Sequence, residues 1–594
     1  MKWLQVVITA VYQWRQKLLN LIFNTIPENM GDSRQTRTYD AIVIGSGISG
    51  GWAAKELCEK GLRTLVLERG RDVKHLKDYP TTNLYPWEFK HRGEVPADIR
   101  EANPVISRCY AFREDAMHFF VKDTDHPYVQ EKPFDWIRGY QVGGKSIMWA
   151  RQTQRWSDFD FEGPARDGFA VDWPIRYKDL APWYSHVEKF AGISGNKDGI
   201  ATLPDGEFLP ALELSCVENY FSDFVKKNYK DRHVIYARCA HLTEPTQLHK
   251  EQGRGKCQNR NLCQRGCPYG GYYNSNSTTI PWAAKTGNMT LRPFSVVHSI
   301  LYDEQKQKAS GVRVIDANTK ESVDYFAPVI FVNASALNTN LLLLNSVSHR
   351  FPNGLGNDSG VLGKFVAFHN YRARINGSYD GFKDFKTDGR SPTSAYIPRF
   401  RNVMKQETDF LRGYAAGFSA GRGTNRSNDG FGESLKENLA KNEPGSWYVG
   451  SHMMGETIPK EKNTVSLSKE KDPWGISQLN ISIDYDDNDD KMVKDFFEQM
   501  SEMYTKAGFT DLRTSDSKQA PGLDIHEMGG VRMGKDPKTS MLNKWNQLHA
   551  CKNVFVTDGS CMTSTSTQNP SLTYMAFAAR AVDFAVEQLK KREL

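Results

Sequence analysis

Residues Tyr39–Gly70 read YDAIVIGSGISGGWAAKELCEKGLRTLVLERG. Ala41–Ile44 is a short apolar run of the kind that fills a buried parallel strand. Gly45, Gly47 and Gly50 then form G-x-G-x-x-G, and Ala53, Ala54, Leu57 and Cys58 follow at helical spacing. Thr64–Leu67 is a second apolar run, and Glu68 and Arg69 close it. Each part has a physical role. Gly45 permits the tight turn, Gly47 lets backbone approach a pyrophosphate, and Gly50 lets the helix pack against the strand. The helix N-terminus presents free N–H groups and a positive dipole end to phosphate. Glu68, 18 residues after Gly50, is placed to accept from ribose hydroxyls, which favours NAD or FAD over NADP. Strand, glycines, helix, strand and acid in this order predict a dinucleotide-binding α/β domain.

Around that stretch the chain has 594 residues, too many for one hydrophobic core. With 39% hydrophobic and 25% charged residues it is neither disordered nor fibrous. The net charge of +7 comes without a Lys/Arg stripe or a recognition motif, so no nucleic-acid partner is expected. No apolar run reaches the length of a membrane span. Residues 1–29 are apolar but interrupted by Gln5, Thr9, Gln13, Arg15 and Lys17. They admit an interfacial amphipathic helix, or a start at Met30 that leaves 1–29 outside the protein. No signal peptide is legible, so the default location is cytoplasmic, or periplasmic on export with a partner subunit.

The segment His526–Arg580, HEMGGVRMGKDPKTSMLNKWNQLHACKNVFVTDGSCMTSTSTQNPSLTYMAFAAR, contains H-x-x-x-G-x-R-M-G-x-D-P, V-x-D-G-S and N-P-S-L-T. It resembles the C-terminal signature of the glucose–methanol–choline (GMC) flavoprotein oxidoreductases. Arg138–Trp149, Asp172–Gly195 and Leu291–Ser346 resemble further segments of the same family. The resemblance runs from about residue 39 to the C-terminus and is weakest over roughly 370–515. It implies FAD, with flavin contacts from Gly143, Gly144, Ser146, Val297, Asp558, Gly559 and Pro570 besides the first glycines, Glu68 and Arg69. The residues agree. Val554–Val556 reads as a buried strand, Asp558-Gly559 as the turn at its C-terminal edge, and Asn569-Pro570 as the opening of a helix over Ser571–Glu587.

In the resembled family the catalytic base is the His of H-x-x-x-G-x-R-M-G, here His526. Its partner is the residue before the Pro of the last helix, here Asn569, which makes a His–Asn pair of the pyranose-oxidase kind. A neutral imidazole suits proton abstraction from a hydroxyl near pH 7. Asn569 has a competing role as a helix cap. Pyranose oxidase has a His that links covalently to FAD where this chain has Met148, so noncovalent FAD is expected. Lys145, in the same segment, is placed for a phosphate contact or for solvent.

Lys256–Ser277 reads KCQNRNLCQRGCPYGGYYNSNS, with Cys257-x5-Cys263-x3-Cys267-Pro. Three thiolates before a Pro suit an iron–sulfur site, in particular a 3Fe-4S cluster, and resemble bacterial FAD-dependent sugar dehydrogenase subunits. A local disulfide and free thiols are the other readings.

The expected organisation is an N-terminal extension over 1–36 and a Rossmann-like FAD-binding domain over 37–365, with the Cys-rich loop at 256–277. A substrate domain with an antiparallel sheet (α+β) follows over 366–519, and 520–594 returns to the FAD domain with the catalytic pair. Thr464–Leu467 and Leu479–Ile483 are expected strands of the sheet that roofs the flavin, 488–507 a helix, and 381–393 and 421–444 loops. Trp447, Tyr448, Trp474 and Glu456 are candidates for sugar contact, each with packing as its competing role. The expected function is oxidation of a hydroxyl of a sugar or glycoside, for instance at C3. Electrons would leave to a cytochrome or quinone, with a small subunit as partner. An O2-using oxidase and a non-catalytic electron-transfer flavoprotein are the alternatives.

Overall fold

The structure is a computed structural model that describes residues 37–385, 394–424, 429–440 and 444–594. The expected helix in 1–29 lies outside the described residues, as do parts of the two expected loops. Tyr39–Leu594 fold as one unit.

Its centre is a five-stranded parallel sheet in the order Val554–Val556, Val329–Val332, Ala41–Ile44, Thr64–Leu67, Met289–Arg292. The first four strands are buried along their whole length, as near-continuous Val, Ile, Leu and Phe runs require. Two strands adjacent in space, Ala41–Ile44 and Val329–Val332, are nearly 300 residues apart in the chain, so the sheet assembles from distant segments. Helix Ile48–Glu59 packs on the sheet, and helix Ser571–Lys590 packs on that helix. Ala576, Phe577, Ala578 and Ala579 are all buried, so the first half of the last helix is apolar around its circumference and belongs in the core, while Asp583 and Glu587 of its second half are exposed. An antiparallel meander, Ser295–Asp303, Lys308–Asp316 and Ser322–Phe326, extends from the sheet's last strand.

A second, seven-stranded sheet is antiparallel. Its path runs Thr510–Asp516, Ala373–Tyr379, Pro444–Glu456, Tyr414–Thr424, Ala395–Ile397, Ile235–Tyr236, with His369–Asn370 also paired to Pro444–Glu456. Helix Asp487–Lys506 lays Met492, Phe496, Met500 and Met503 against it. The helix starts where Asp486 accepts from the N–H groups of Asn488 and Asp489.

The expected strands at Thr464 and Leu479 form, as Thr464–Lys471 and Ser477–Ser482, but not in this sheet. They make a hairpin that joins Val129–Gln130 in a separate three-stranded sheet. Val465, Leu479 and Ile481 pack with Phe134, Trp136 and Phe368, and that apolar match decides their place.

Candidate active site

A cavity of about 870 Å³ runs from the glycine turn to the antiparallel sheet. The first turn builds one end. Gly45 has φ +95°, and a Cβ there would fall 2.3 Å from Asn333 O. A Cβ on Gly50 would meet Gly45 O at 2.0 Å, so Gly50 serves helix–strand contact behind the wall. Gly47 has nothing within 4 Å of its ideal Cβ, and it lines the cavity. No side chain caps the helix that begins beside it, so its first N–H groups face an open cradle. That cradle fits a dinucleotide pyrophosphate.

Glu68 lines the same end and is almost wholly buried. Its carboxylate accepts from Ser46 Oγ at 2.5 Å and Gly70 N at 2.9 Å. Burial pushes its pKa up against those hydrogen bonds. Ser46 Oγ also accepts from Gly143 N at 3.0 Å, tying the first turn to the Gly143-Gly144 segment. Gly143 is left-handed, with φ +87°, and a Cβ would fall 1.6 Å from Asn276 Oδ1, so only glycine fits. Gly144, Ser146, Val297, Asp558 and Gly559 line the cavity, whereas Gly143 and Pro570 stand behind its wall. Arg69 lines it as well and stacks on Tyr140 and Trp474.

The catalytic candidates meet at the far end. Asn569 Nδ2 lies 3.3 Å from His526 Nε2, and both residues line the cavity. Asn569 does not cap the last helix: Pro570 holds the N-cap position, without a side-chain cap bond. Burial, with neighbouring His369 and Lys145, holds the His526 pKa well below 6.5, so its imidazole is neutral at pH 7. Lys145 pairs with Glu527 at 3.1 Å beside it. Met148 lines the wall.

Two residues at this end escaped the sequence reading. His369 Nδ1 lies 2.9 Å from His526 Nδ1. Asp524 Oδ2 accepts from the backbone N–H of His369 at 2.9 Å and of His526 at 3.2 Å. Asp524 stood two places before His526 and was legible as a neighbour; His369 lies 157 positions away and carries no local motif.

The proposed sugar contacts are not in the cavity wall. Glu456 is fully buried and pairs with Arg399 and Arg412. Trp447 is buried and donates to Phe382 O. Tyr448 is exposed, and Trp474 stacks on His126. The wall instead carries Tyr371, Tyr396, His452, Arg151 and Gln152.

Cys257, Cys263 and Cys267 are free thiols, so the disulfide reading is not met. They lie outside the wall, but Asn261 and Gln264 of their loop form part of it, and Arg151 Nη1 reaches Gln264 Oε1 at 3.4 Å. Burial, together with the other two sulfurs, pushes Cys257 up to about 11. His241 Nδ1 lies 3.5 Å from Cys257 Sγ. From Gln252 to Tyr302 the chain has Arg and Lys but no carboxylate.

Comparison with known proteins follows the same lines. The fructose dehydrogenase large subunit of Gluconobacter japonicus is 25% identical over 94% of this chain and 100% of its own length. The 2-methyl-1,2-propanediol dehydrogenase of Mycolicibacterium austroafricanum is 27% identical over 92% of this chain and 94% of its own. Pyridoxine 4-oxidase from Mesorbium loti shares the fold, with a TM-score of 0.57 at 15% identity over 92% of this chain and 99% of that one. GMC oxidoreductase family profiles match residues 39–366 and 459–578. The chain belongs to the GMC oxidoreductase family, a family of FAD enzymes acting on CH–OH groups.

Proposed function

We propose that this protein is an FAD-dependent dehydrogenase that oxidises a hydroxyl of a sugar or glycoside, for instance the C3 secondary hydroxyl. The observation that carries the reading is the His526–Asn569 pair at one end of a cavity whose other end is an open glycine cradle. The substrate hydroxyl gives its proton to His526 Nε2, the ring being neutral at neutral pH. Asn569 Nδ2 donates to the substrate oxygen and orients it. Tyr371, Tyr396, Arg151 and Gln152 offer hydrogen bonds to further hydroxyls, as a polyol requires. FAD, when bound, supplies the hydride acceptor; Gly47, Glu68, Gly144 and Ser146 are the residues placed to hold it.

The same reading gives the Cys257/Cys263/Cys267 loop a one-electron relay to a cytochrome or quinone through a 3Fe-4S cluster, with a small subunit as partner. It is supported by three free thiols in a carboxylate-free loop that borders the cavity, and by the likeness to a dehydrogenase named as a large subunit.

Anaerobic mixing with a panel of sugars and glycosides, followed at the flavin absorbance, tests the activity. Bleaching by at least one sugar is expected; reduction only by simple alcohols removes the sugar assignment. Iron analysis with low-temperature EPR tests the relay, and about three irons per chain are expected. Rapid reoxidation by O2 with no iron favours an oxidase.

A further inference from the structure

His369 belongs to the two-residue strand His369–Asn370 and faces Glu456 in the register of the antiparallel sheet. Its ring is wholly buried. Nε2 lies 3.2 Å from Thr565 O and 3.0 Å from Ser566 O. Carbonyl oxygens only accept, so Nε2 carries the hydrogen. A neutral imidazole has one N–H, which leaves Nδ1 of His369 a bare acceptor. The 2.9 Å contact between the two Nδ1 atoms needs one hydrogen between them. That hydrogen is therefore on Nδ1 of His526, and Nε2 of His526 is bare. The bare atom is the one that meets Asn569, and both residues line the cavity.

We infer that His369 is a positioning residue of the reaction: it fixes His526 as the Nδ1–H tautomer, which turns the Nε2 lone pair to the substrate hydroxyl. The inference rests on the reading of His526 as the base. In the step itself the substrate O–H bond breaks and an N–H bond forms at His526 Nε2, while the electron pair stays on the substrate oxygen. His526 becomes an imidazolium, and His369 Nδ1 goes on accepting its Nδ1–H. The role is that of the carboxylate in a Ser-His-Asp triad, which sets the tautomer and stabilises the imidazolium. Here a neutral ring does it. His369 stays neutral because burial holds its pKa at about 4. Thr565 and Ser566 hang the ring from the loop that leads to Asn569, so one short segment fixes both partners of the base.

The titratable and charged groups around the pair are Asp524, bridging the two backbones, Lys145 with Glu527, and Arg399 with its partners Glu456 and Asp160. Ligand atoms of His369, Asp524 and His526 also lie within 4.8 Å of one another, as a metal would need. A metal on the two Nδ1 atoms would displace the shared hydrogen, so the two arrangements exclude each other.

The test uses the full-length FAD-loaded enzyme and anaerobic stopped-flow across pH. His369→Phe removes the acceptor and should slow flavin reduction roughly 10²–10⁴-fold, as losing the tautomer does in a triad, with FAD occupancy retained. His369→Asn places Oδ1 where Nδ1 was and should restore the rate to within about tenfold of wild type, since an amide oxygen accepts the same hydrogen. His369→Asp puts a carboxylate there, so the acid limb of the pH–rate profile should move to higher pH by about one unit or more. In the His526→Ala background His369→Phe should slow reduction no further. The inference is overturned if His369→Phe reduces at the wild-type rate, or if Asn and Asp behave as Phe does. Stoichiometric metal whose removal abolishes activity also overturns it. If His369→Phe fails to fold, the Asn and Asp variants decide. A His526→Ala enzyme as fast as wild type would fell the base reading itself; a slow one beside a fast His369→Phe fells only this inference.

Discussion

Asn569 Nδ2 and His526 Nε2 lie 3.3 Å apart, although 43 residues separate them and one precedes a helix while the other ends a loop. On the proposed reading the contact puts a donor beside the base nitrogen, and the two side chains would share one substrate oxygen. His526→Ala should slow flavin reduction roughly 10²–10⁴-fold with FAD still bound. Asn569→Ala should cost less, because the proton acceptor remains. Since Pro570 is the N-cap, Asn569→Ala loses no cap but only the hydrogen bond to His526, worth about 0.5–1.5 kcal/mol, and in a chain of this length the melting temperature should fall by no more than about 2 °C. Stopped-flow and a thermal melt on both variants check this.

The two glycines of the first turn should fail in different ways. Gly47→Ala meets nothing within 4 Å in the protein, but its methyl points into the cofactor cradle. It should fold with an unchanged apoprotein melt and lower flavin occupancy. Gly50→Ala puts a methyl 2.0 Å from Gly45 O. It should destabilise the fold by roughly 1–3 kcal/mol or more. The ratio of flavin to protein absorbance, with apoprotein melts, separates the two; equal loss of stability would contradict the assignment of Gly47 to the cradle.

Acid precipitation should release FAD into the supernatant. Met148 has no ring nitrogen to bond the flavin, and the nearby cavity thiol, Cys109, is held at about 11 by burial and so stays protonated and unreactive. Flavin that remains with the pellet contradicts this.

Stability should fall on mild acidification. Burial holds His75, His118, His249, His369 and His452 down to about 4, and His126 to about 3. An unfolded histidine protonates near 6.5. Below that pH the unfolded chain binds protons the folded chain refuses, and each such histidine removes about 1.4 kcal/mol per pH unit until its folded pKa is reached. Asp489 and Asp524, raised to about 7, act in the opposite sense between about 7 and 4. His241, His298, His526 and His549 are held down as well, and Glu68, Asp135, Asp198 and Asp558 are pushed up, so ten lowered histidines stand against six raised carboxylates among the described residues and leave a net loss. Thermal melts between about pH 7.5 and 5 should show a falling midpoint; a flat or rising one contradicts the assignment.

What the sequence determined by itself was the part written in local periodicity. Ala41–Ile44, Thr64–Leu67 and Val554–Val556 form with the expected bounds, because a parallel strand buried on both faces must be an unbroken apolar run. The glycine spacing was legible as a motif, but only Gly50 is demanded by backbone a few residues away, at Gly45 O; Gly45 is demanded by Asn333, far along the chain, and Gly47 by the open cradle. The pair His526 and Asn569 was singled out through family resemblance, and the fold brings the two side chains within 3.3 Å. What the tertiary structure alone decided are choices between apolar partners far apart in the chain. The hairpin of Thr464–Lys471 and Ser477–Ser482 reads as a strand pair, but its sheet is set by Phe134, Trp136 and Phe368. The aromatic residues near it gave no sign of facing a cavity, since burial against a wall and exposure to a ligand have the same composition. His369 is the sharpest case: a lone histidine in an ordinary segment, whose role appears only when a strand pairing and two carbonyls fix its ring against His526.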